Sequence, residues 1–279
     1  MDGPGPAGAR MGQNPRRTRM RWTSMAVTWS LVGLLGAVGG CSKETGGGGG
    51  GTPEGGQMSG KVVNAQGQPM SGVAVVADNT LVYNSNAQAT TGADGTYRID
   101  VSKPAGTWHG SATYKVQYNS RSYTFDLDPN DDAVFAGNEG AVRNFTWKLS
   151  GKRADDTGTY GGFVAVYVDQ LIDPADPEQA INSDDIEVTL TPSGKLVDGS
   201  DGAPITKKLV RTPDGDAVQD VPVGRYTVTA RYAQAGKSPR PMQVRIKDTG
   251  AYADSVTADF EVLTTTRHQI LLNAQLPTP

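Results

Sequence analysis

The regular alternation of apolar and polar side chains is the feature that most constrains the fold of this chain. In the run from Trp108 to Tyr118, the apolar residues Ala112, Tyr114 and Val116 share one parity and polar residues take the other. Successive side chains of a β-strand point to opposite faces, so such runs predict strands with one buried face. No stretch after residue 58 shows a convincing helical period. The sequence therefore predicts an all-β protein.

The alternating runs fall into two groups separated by a polar segment at residues 150–161. Turn-forming Gly, Asn and Asp separate the runs within each group, as is typical of antiparallel sandwiches. We therefore predict two tandem antiparallel β-sandwiches, prealbumin-like or immunoglobulin-like, at residues 58–150 and 161–279. Residues 171–183 interrupt the second pattern and are predicted to be an insertion.

Composition excludes several kinds of chemistry. The chain has one Cys and two His, which rules out an intramolecular disulfide and a multi-thiolate metal site. It contains no Gly-x-Ser-x-Gly motif, and His109 and His268 have no neighbouring sequence that would make them catalytic. Its net charge of −3 argues against a general nucleic-acid-binding protein. We predict a protein without enzymatic activity, cofactor or nucleic-acid partner.

Residues 1–40 have the pattern of an export signal. Several arginines precede an uncharged segment from Trp22 to Ser42, whose apolar centre is short for a membrane span. The segment ends in Val38-Gly39-Gly40-Cys41, which resembles a bacterial lipobox. An ordinary signal peptide or an uncleaved anchor stays open as the alternative, as does a start at Met1, Met11 or Met20.

The lipobox resemblance implies cleavage between Gly40 and Cys41. Cys41 would then be the mature N-terminus and carry a thioether-linked diacylglycerol and an N-acyl chain such as palmitate, which together anchor a protein stably. Ser42 in the next position favours sorting to the outer membrane, on its periplasmic face or at the cell surface. Residues 41–57 include six consecutive glycines and are predicted to be a flexible tether. Residues 1–40 hold five Arg and one Asp, so the mature chain has a net charge of −7.

Residues 59–101 contain an ordered series of short motifs: Gly60-Lys-Val-Val, Gly67-Gln-Pro69, Gly72-Val-Ala-Val75 and Thr91-Gly-Ala-Asp-Gly-Thr-Tyr-Arg-Ile99. This series resembles the carboxypeptidase regulatory-like family, whose domains are prealbumin-like sandwiches. Asp94-Gly95 is predicted to be a tight hairpin turn, with Tyr97 and Ile99 in the core. The second half echoes the series less fully, in Thr212–Gly215 and Val221–Val228. The resemblance implies a domain with no chemistry of its own.

Four residues offer clustered oxygen atoms of the kind that Ca²⁺ prefers: Asp126, Asp128, Asn130 and Asp132. Their spacing departs from an EF-hand, although Glu139 could close a non-standard loop. The alternative, which we favour, is a plain solvated turn.

Two further features suggest ligand-binding surfaces. Arg225 and Arg231 have the parity of exposed residues in a segment without acids, which suggests a cationic face for an anionic partner. The alternative, which we favour, is that residues 169–201, with nine acids, balance that charge on a solvated face. Trp108, at a predicted strand edge, is the best candidate for stacking on a sugar ring.

These observations together predict a lipid-anchored protein of the cell envelope with non-catalytic β-sandwich domains. It would act as a binding or spacer module for an envelope protein or a surface polysaccharide. The alternative function is a carbohydrate-binding surface lipoprotein.

Overall fold

The computed structural model describes residues 51–154 and 157–278. The predicted leader, the predicted acylation site Cys41 and most of the predicted tether lie outside these residues. Within them the chain is all-β, with one short 3₁₀ helix at Ser183–Asp185. None of the described residues belongs to a helix with the length and apolar character needed to cross a membrane.

The first sandwich contains ten strands in two sheets. They are β1 (Gln57–Asn64), β2 (Ala74–Asn79), β3 (Asn86–Thr90), β4 (Thr96–Asp100), β5 (Thr107–Tyr118), β6 (Arg121–Asp126), β7 (Asp128–Pro129), β8 (Phe135–Ala136), β9 (Ala141–Val142) and β10 (Phe145–Trp147). One sheet has the order β4-β1-β10-β7, with β9 also on β1, and the other has β3-β2-β5-β6, with β8 on β5. The pairing is antiparallel except where β9 and β10 run parallel to β1.

The second sandwich follows from Gly162. Its strands are β11 (Gly162–Val168), β12 (Ile172–Asp173), β13 (Asp176–Ala180), β14 (Ile186–Pro192), β15 (Ile205–Lys208), β16 (Val210–Thr212), β17 (Gly215–Val221), β18 (Arg225–Tyr232), β19 (Arg240–Ile246), β20 (Val256–Asp259), β21 (Glu261–Thr264) and β22 (Arg267–Gln275). β12 and β13 form a separate hairpin within the predicted insertion at 171–183.

The other strands of the second sandwich form one continuous sheet of order β15-β14-β18-β19-β22-β11-β17-β16, with β20 also on β18 and β21 on β22. β19 joins the two layers, because Arg240–Met242 pairs with β18 whereas Gln243–Ile246 pairs with β22. A strand that changes partners in this way makes a corner of a sandwich. β11 and β22 pair in parallel, which is the exception to the predicted antiparallel arrangement.

The alternation of apolar and polar residues along the strands correctly predicts many of the side chains that lie in the core. In β4 the burial pattern is strictly alternating, and Tyr97 and Ile99 are buried as predicted. Gly95 has a φ of 77° in the turn before this strand, a conformation that glycine adopts without steric cost. The largest fully buried side chains are Trp108, Tyr123, Phe145, Met58, Tyr226, Tyr232, Phe260, Ile186, Leu190, Met242, Ile270 and Leu272.

Sequence reasoning missed strands that lack a clear apolar face. β3 reads Asn-Ala-Gln-Ala-Thr and pairs with β2 along its whole length, although only its two alanines are partly buried. It lies at the edge of its sheet, where a strand has a single neighbour and needs little apolar surface. β3 is therefore recognised as a strand by its main-chain hydrogen bonds with β2, and its amino-acid composition alone does not predict it.

Candidate functional site

The two sandwiches belong to one compact unit and contact each other through the turn between β5 and β6. The Tyr118 hydroxyl donates to the Lys195 carbonyl oxygen (2.7 Å) and accepts from the Arg225 backbone N–H (3.1 Å). Asn119 donates from its side chain to Asp259 (2.8 Å). The turn of the first sandwich is thus held by main-chain and side-chain groups of the second.

A buried aromatic cluster lies behind this turn. The Tyr123 hydroxyl donates to the Phe260 carbonyl oxygen (2.8 Å), and burial raises the pKa of Tyr123 to about 12. The ring of His268, which is 1% exposed, lies 5.4 Å from the ring of Tyr123 and 4.8 Å from that of Phe125. These contacts join β6 of the first sandwich to β22 of the second, so the junction has its own small core.

His268 is neutral in this environment. Burial lowers its pKa from 6.5 to about 4, against the opposing influence of the Asp126 carboxylate. Its Nε2 atom has no hydrogen-bond partner within the part of the chain that the structure describes. This role of His268 could not be predicted from the sequence, where His268 lies beside Arg267 in a terminal strand.

Next to the junction core, the two sandwiches and the segment that links them enclose a cleft of about 560 Å³. The first sandwich contributes Asp126, and the linking segment contributes Arg153, residues 157–159 and Gly161. The second sandwich contributes the β16–β17 turn, part of β17, and the ends of β21 and β22. Domain junctions are common places for ligand pockets, so this cleft is the candidate functional site.

Charged groups on opposite walls of the cleft are paired. Arg153 contacts the Asp126 carboxylate at 3.0 Å, and the Thr266 hydroxyl donates to the same carboxylate at 2.7 Å. Arg267 contacts Asp214 at 2.6 Å. The side chains of Arg267 and Asp214 are half-exposed and about two-fifths exposed. Those of Arg153 and Asp126 are about a fifth and a third exposed, so the pair of Arg267 and Asp214 is the more accessible to a ligand.

Asp220, at the floor of the cleft, binds the linking segment through hydrogen bonds. Its carboxylate accepts from the backbone N–H of Gly151 (2.9 Å) and of Gly161 (3.2 Å). Asp220 itself has a φ of 58°, an unusual conformation for a non-glycine residue that places its side chain toward the linker. A methyl group on Gly162 would lie 2.4 Å from the Phe260 ring, so only glycine fits there.

The cleft offers hydrogen-bonding groups of both kinds and one apolar surface. Arg267 and Arg153 can donate, Asp214 and Asp126 can accept, and threonine hydroxyls can do either. Phe163 lines the same cleft, with the Arg267 guanidinium 5.6 Å from its ring centre. Both guanidinium groups are paired with carboxylates, and Asp220 adds a third carboxylate, so the cleft suits a polar ligand without a strong negative charge.

The predicted calcium ligands do not converge in the structure. Asp126 faces Arg153, as above, and Asp128 is paired with Lys148. Asp128 also accepts from the Tyr160 hydroxyl at 2.8 Å. Both carboxylates are therefore neutralised by cations or donors of the protein itself.

The other two candidates are engaged in the same way. The Asn130 side-chain oxygen accepts from the backbone N–H of Asn144 (2.7 Å), and Asp132 contacts His109 Nε2 at 2.9 Å. Across residues 51–154 and 157–278, no three His, Cys, Asp or Glu side chains lie close enough together to hold a metal ion. The calcium site, which was the less favoured of the two interpretations, is not supported by these contacts, because each of the four side chains has a different partner.

The prediction that Trp108 presents its ring to a ligand is also wrong. Trp108 is the second residue of β5 and is 1% exposed. A methyl group on Gly137 would lie 2.7 Å from the Trp108 Nε1 atom, which shows how closely the backbone covers the ring. The strand edge that the sequence suggested is covered by β8, which pairs with the first two residues of β5.

Arg225 and Arg231 are on the solvent side of β18, as their parity predicted. Each faces an acid on a neighbouring strand, Arg225 with Asp259 at 3.3 Å and Arg231 with Glu187 at 2.6 Å. Glu187 lies within the acidic residues 169–201, as the balanced-charge alternative predicted. These pairs leave β18 without a purely cationic face, which disfavours an anionic partner there.

Comparison with known proteins identifies the class of the first sandwich. Residues 57–136 match the family model of the carboxypeptidase regulatory-like domain, which confirms the resemblance seen at residues 59–101. The match covers the strands from β1 to β8 and is consistent with a prealbumin-like fold. No curated protein matches the chain.

Among solved structures, the Bacillus anthracis TIE protein is 13% identical over 79% of this chain, with a TM-score of 0.31. A C-terminal fragment of the pilus adhesin SpaC from Lactobacillus rhamnosus GG is 13% identical over 79% of the chain and 96% of the fragment, with a TM-score of 0.25. A streptococcal ancillary pilin is 12% identical over 77% of the chain and 62% of the pilin, with a TM-score of 0.24. The aligned part spans about a third (34%) of the TIE protein chain.

Proposed function

We propose that this protein is a lipid-anchored, non-catalytic binding module of the cell envelope whose ligand site is the cleft between its two sandwiches. The observation that carries the proposal is a cleft of about 560 Å³ walled by both sandwiches and lined by paired, partly exposed charges. Its ligand is a polar segment of an envelope protein or of a surface polymer.

The rigidity of the junction supports a binding role. Tyr118, Asn119 and Tyr123 all bond to groups of the second sandwich, so the walls of the cleft are held in place before a ligand arrives. A preformed site avoids the entropy cost of ordering two domains at the moment of binding. The match to a regulatory-like domain supports a role without catalysis.

Carbohydrate binding is the second candidate, and Phe163 is the observation that favours it. Trp108 is buried, but Phe163 lines the cleft beside Arg267 and Asp214. An aromatic ring next to paired donors and acceptors is an arrangement that can bind a sugar through its ring face and its hydroxyl groups. The two candidates therefore share one site and differ in the chemistry of the ligand.

Arg267→Ala is expected to weaken ligand binding by roughly 10- to 100-fold, because it removes a charged donor and leaves Asp214 unpaired. The measurement is photo-crosslinking in cells, with a photoreactive amino acid at Thr264, which lines the cleft. Arg211→Ala is the matched control, since Arg211 pairs with Asp216 at 3.3 Å and lies outside the cleft lining.

Crosslinked products that form equally with both variants would contradict the cleft as the ligand site. The nature of the product separates the two candidate ligands. If protease digestion of the crosslinked product releases peptides that do not come from this protein, the partner is a protein. If periodate oxidation breaks down the crosslinked product, the partner is a glycan.

Cys41→Ser is expected to shift most of the protein out of the outer-membrane fraction, because the variant lacks the thiol that accepts the diacylglycerol. Acyl chains contribute about 0.8 kcal/mol per buried CH₂, so losing them removes most of the anchoring free energy. Fractionation measures the release, and intact-mass analysis of the wild-type protein measures the added lipid. A wild-type mass without lipid would contradict the anchor and leave the cleft proposal to its own test.

A further inference from the structure

The loop between β2 and β3 exposes three consecutive apolar side chains. Leu81 is 72% exposed, Val82 is 43% exposed and Tyr83 is fully exposed. Isolated exposed apolar residues are ordinary on protein surfaces, but three in a row at a loop tip form a patch. The loop lies in an uncharged stretch of the chain that extends from Asn79 to Ala93.

The loop is held in this conformation by a buried asparagine. The Asn79 side-chain oxygen accepts from the backbone N–H of Leu81 (3.0 Å) and of Val82 (2.9 Å). The Asn79 amide donates to the Pro104 carbonyl oxygen (3.4 Å), and Asn79 is 8% exposed. Asn84 then turns the chain with a φ of 54°. The turn that Asn79 holds by these hydrogen bonds therefore keeps the three apolar side chains exposed to solvent.

This loop lies at the end of the first sandwich where the chain enters β1. The Gly56 backbone N–H donates to the Gly137 carbonyl oxygen (2.9 Å), and the Gly137 N–H donates to that of Gly106 (2.9 Å). A methyl group on Gly106 would lie 3.2 Å from Leu81 Cδ1. These contacts connect the beginning of β1 to the exposed loop across both sheets.

Chain length keeps this sandwich close to the proposed anchor. Gly51 is ten residue steps after Cys41, and an extended chain spans at most about 3.6 Å per residue, or roughly 36 Å here. Gly51 lies against the same sandwich, near Val142 of β9. A lipid on Cys41 therefore keeps the first sandwich, with its apolar loop, within one domain's length of the bilayer.

We infer that the loop at residues 80–85 inserts Leu81, Val82 and Tyr83 into the interface of the membrane that holds the lipid anchor. The inference rests on the proposed anchoring at Cys41. Leucine and valine enter the acyl boundary favourably, and tyrosine suits the headgroup region because its ring is apolar and its hydroxyl is polar. Insertion orients the first sandwich and adds a second contact to the acylated N-terminus.

Bromine quenching of tryptophan tests the insertion directly. After leader cleavage, Trp108 and Trp147 are the remaining tryptophans, and both are buried. The lipidated Tyr83→Trp variant is placed in vesicles of phosphatidylcholine and phosphatidylethanolamine with brominated acyl chains. We expect its added fluorescence to fall at least twofold, whereas Leu171→Trp, at a site 82% exposed in the second sandwich, keeps its intensity. Equal quenching at the two positions overturns the inference.

A second measurement separates the loop from the anchor. The chain that begins at Ser42 retains every described residue and lacks the acylated cysteine. We expect Leu81→Ser to weaken its partition onto the same vesicles by roughly tenfold, and Leu171→Ser to leave the partition unchanged. Partition that is insensitive to Leu81→Ser overturns the inference even where intact mass confirms the lipid. Sedimentation showing a dimer that Leu81→Ser dissolves also overturns it, because the loop would then cover a second copy of the chain.

Discussion

Gly60→Ala is expected to destabilise the first sandwich by about 4 kcal/mol and to lower the melting temperature by on the order of 10 °C. A methyl group on Gly60 would lie 1.8 Å from the Arg143 carbonyl oxygen and 3.1 Å from the Tyr97 ring. The same carbonyl accepts from the Tyr97 hydroxyl at 2.6 Å, and the Arg143 N–H donates to Ser59 at 2.8 Å. Relieving the overlap must break these bonds between β1 and the segment that pairs with it.

The matched control is Gly67→Ala. Gly67 has a φ of 78° and no atom within 4 Å of an added methyl group. Its replacement costs only the strain of the left-handed conformation, about 1 kcal/mol. Thermal unfolding followed by circular dichroism compares the two variants. Equal losses of stability would contradict the close approach of Arg143 as the reason for glycine at position 60, because Gly60 lies within β1 and has no positive φ.

Acidification from pH 7.5 to pH 4 is expected to destabilise the folded protein through His268 by about 2 kcal/mol. The folded pKa of His268 is about 4 and the unfolded value is 6.5, so between these values the unfolded chain binds the proton more readily. The contribution is therefore fully present above pH 6.5 and is lost as the pH falls toward 4. The full difference corresponds to about 3 kcal/mol, and access of water from the adjoining cleft reduces it.

His268→Leu is expected to reduce the dependence of the free energy of unfolding on pH between pH 4 and 6.5. Leucine has a similar volume, does not titrate, and removes the unpartnered Nε2 atom from the junction core. The control is His109→Gln, which changes the other histidine, 37% exposed in its pair with Asp132. Denaturant unfolding at a series of pH values measures both variants. The interpretation fails if the His268→Leu profile keeps the slope of the wild-type protein between pH 4 and 6.5.

The candidate site was only partly accessible to sequence reasoning. Residues 150–161 were predicted to be a break between sandwiches, which stays a prediction; in the structure this segment lies between β10 and β11. Their contact with Asp220 was not predictable, because Asp220 lies 59 residues after Gly161 and its position depends on how β17 packs. The alternation of apolar and polar residues placed His268 in the last strand, β22, but did not indicate that its ring packs between the two sandwiches.

Side-chain partners explain why the calcium site and the cationic face, the less favoured interpretations of these residues, are not supported. The acids from Asp126 to Asp132 looked like a ligand set because they are adjacent in sequence, but their cations come from distant parts of the chain, such as Arg153. Arg231 looked unbalanced within its own segment, and its partner Glu187 is 44 residues away on β14. Ion pairs between strands depend on register, which local composition does not reveal.

Patterns among neighbouring residues in the sequence were enough to predict the fold class and many of the strands of this protein. Alternation placed most of the longer strands, and the motifs of residues 59–101 defined the class of the first domain, because strand period and turn chemistry are properties of neighbouring residues. The lipobox at Cys41 is likewise a local signal, and anchoring stays a prediction. The tertiary structure alone decided that Trp108 is buried, that the charges are paired and that a cleft forms beside His268. These features depend on contacts between residues far apart in the chain, which are set only when the sheets pack.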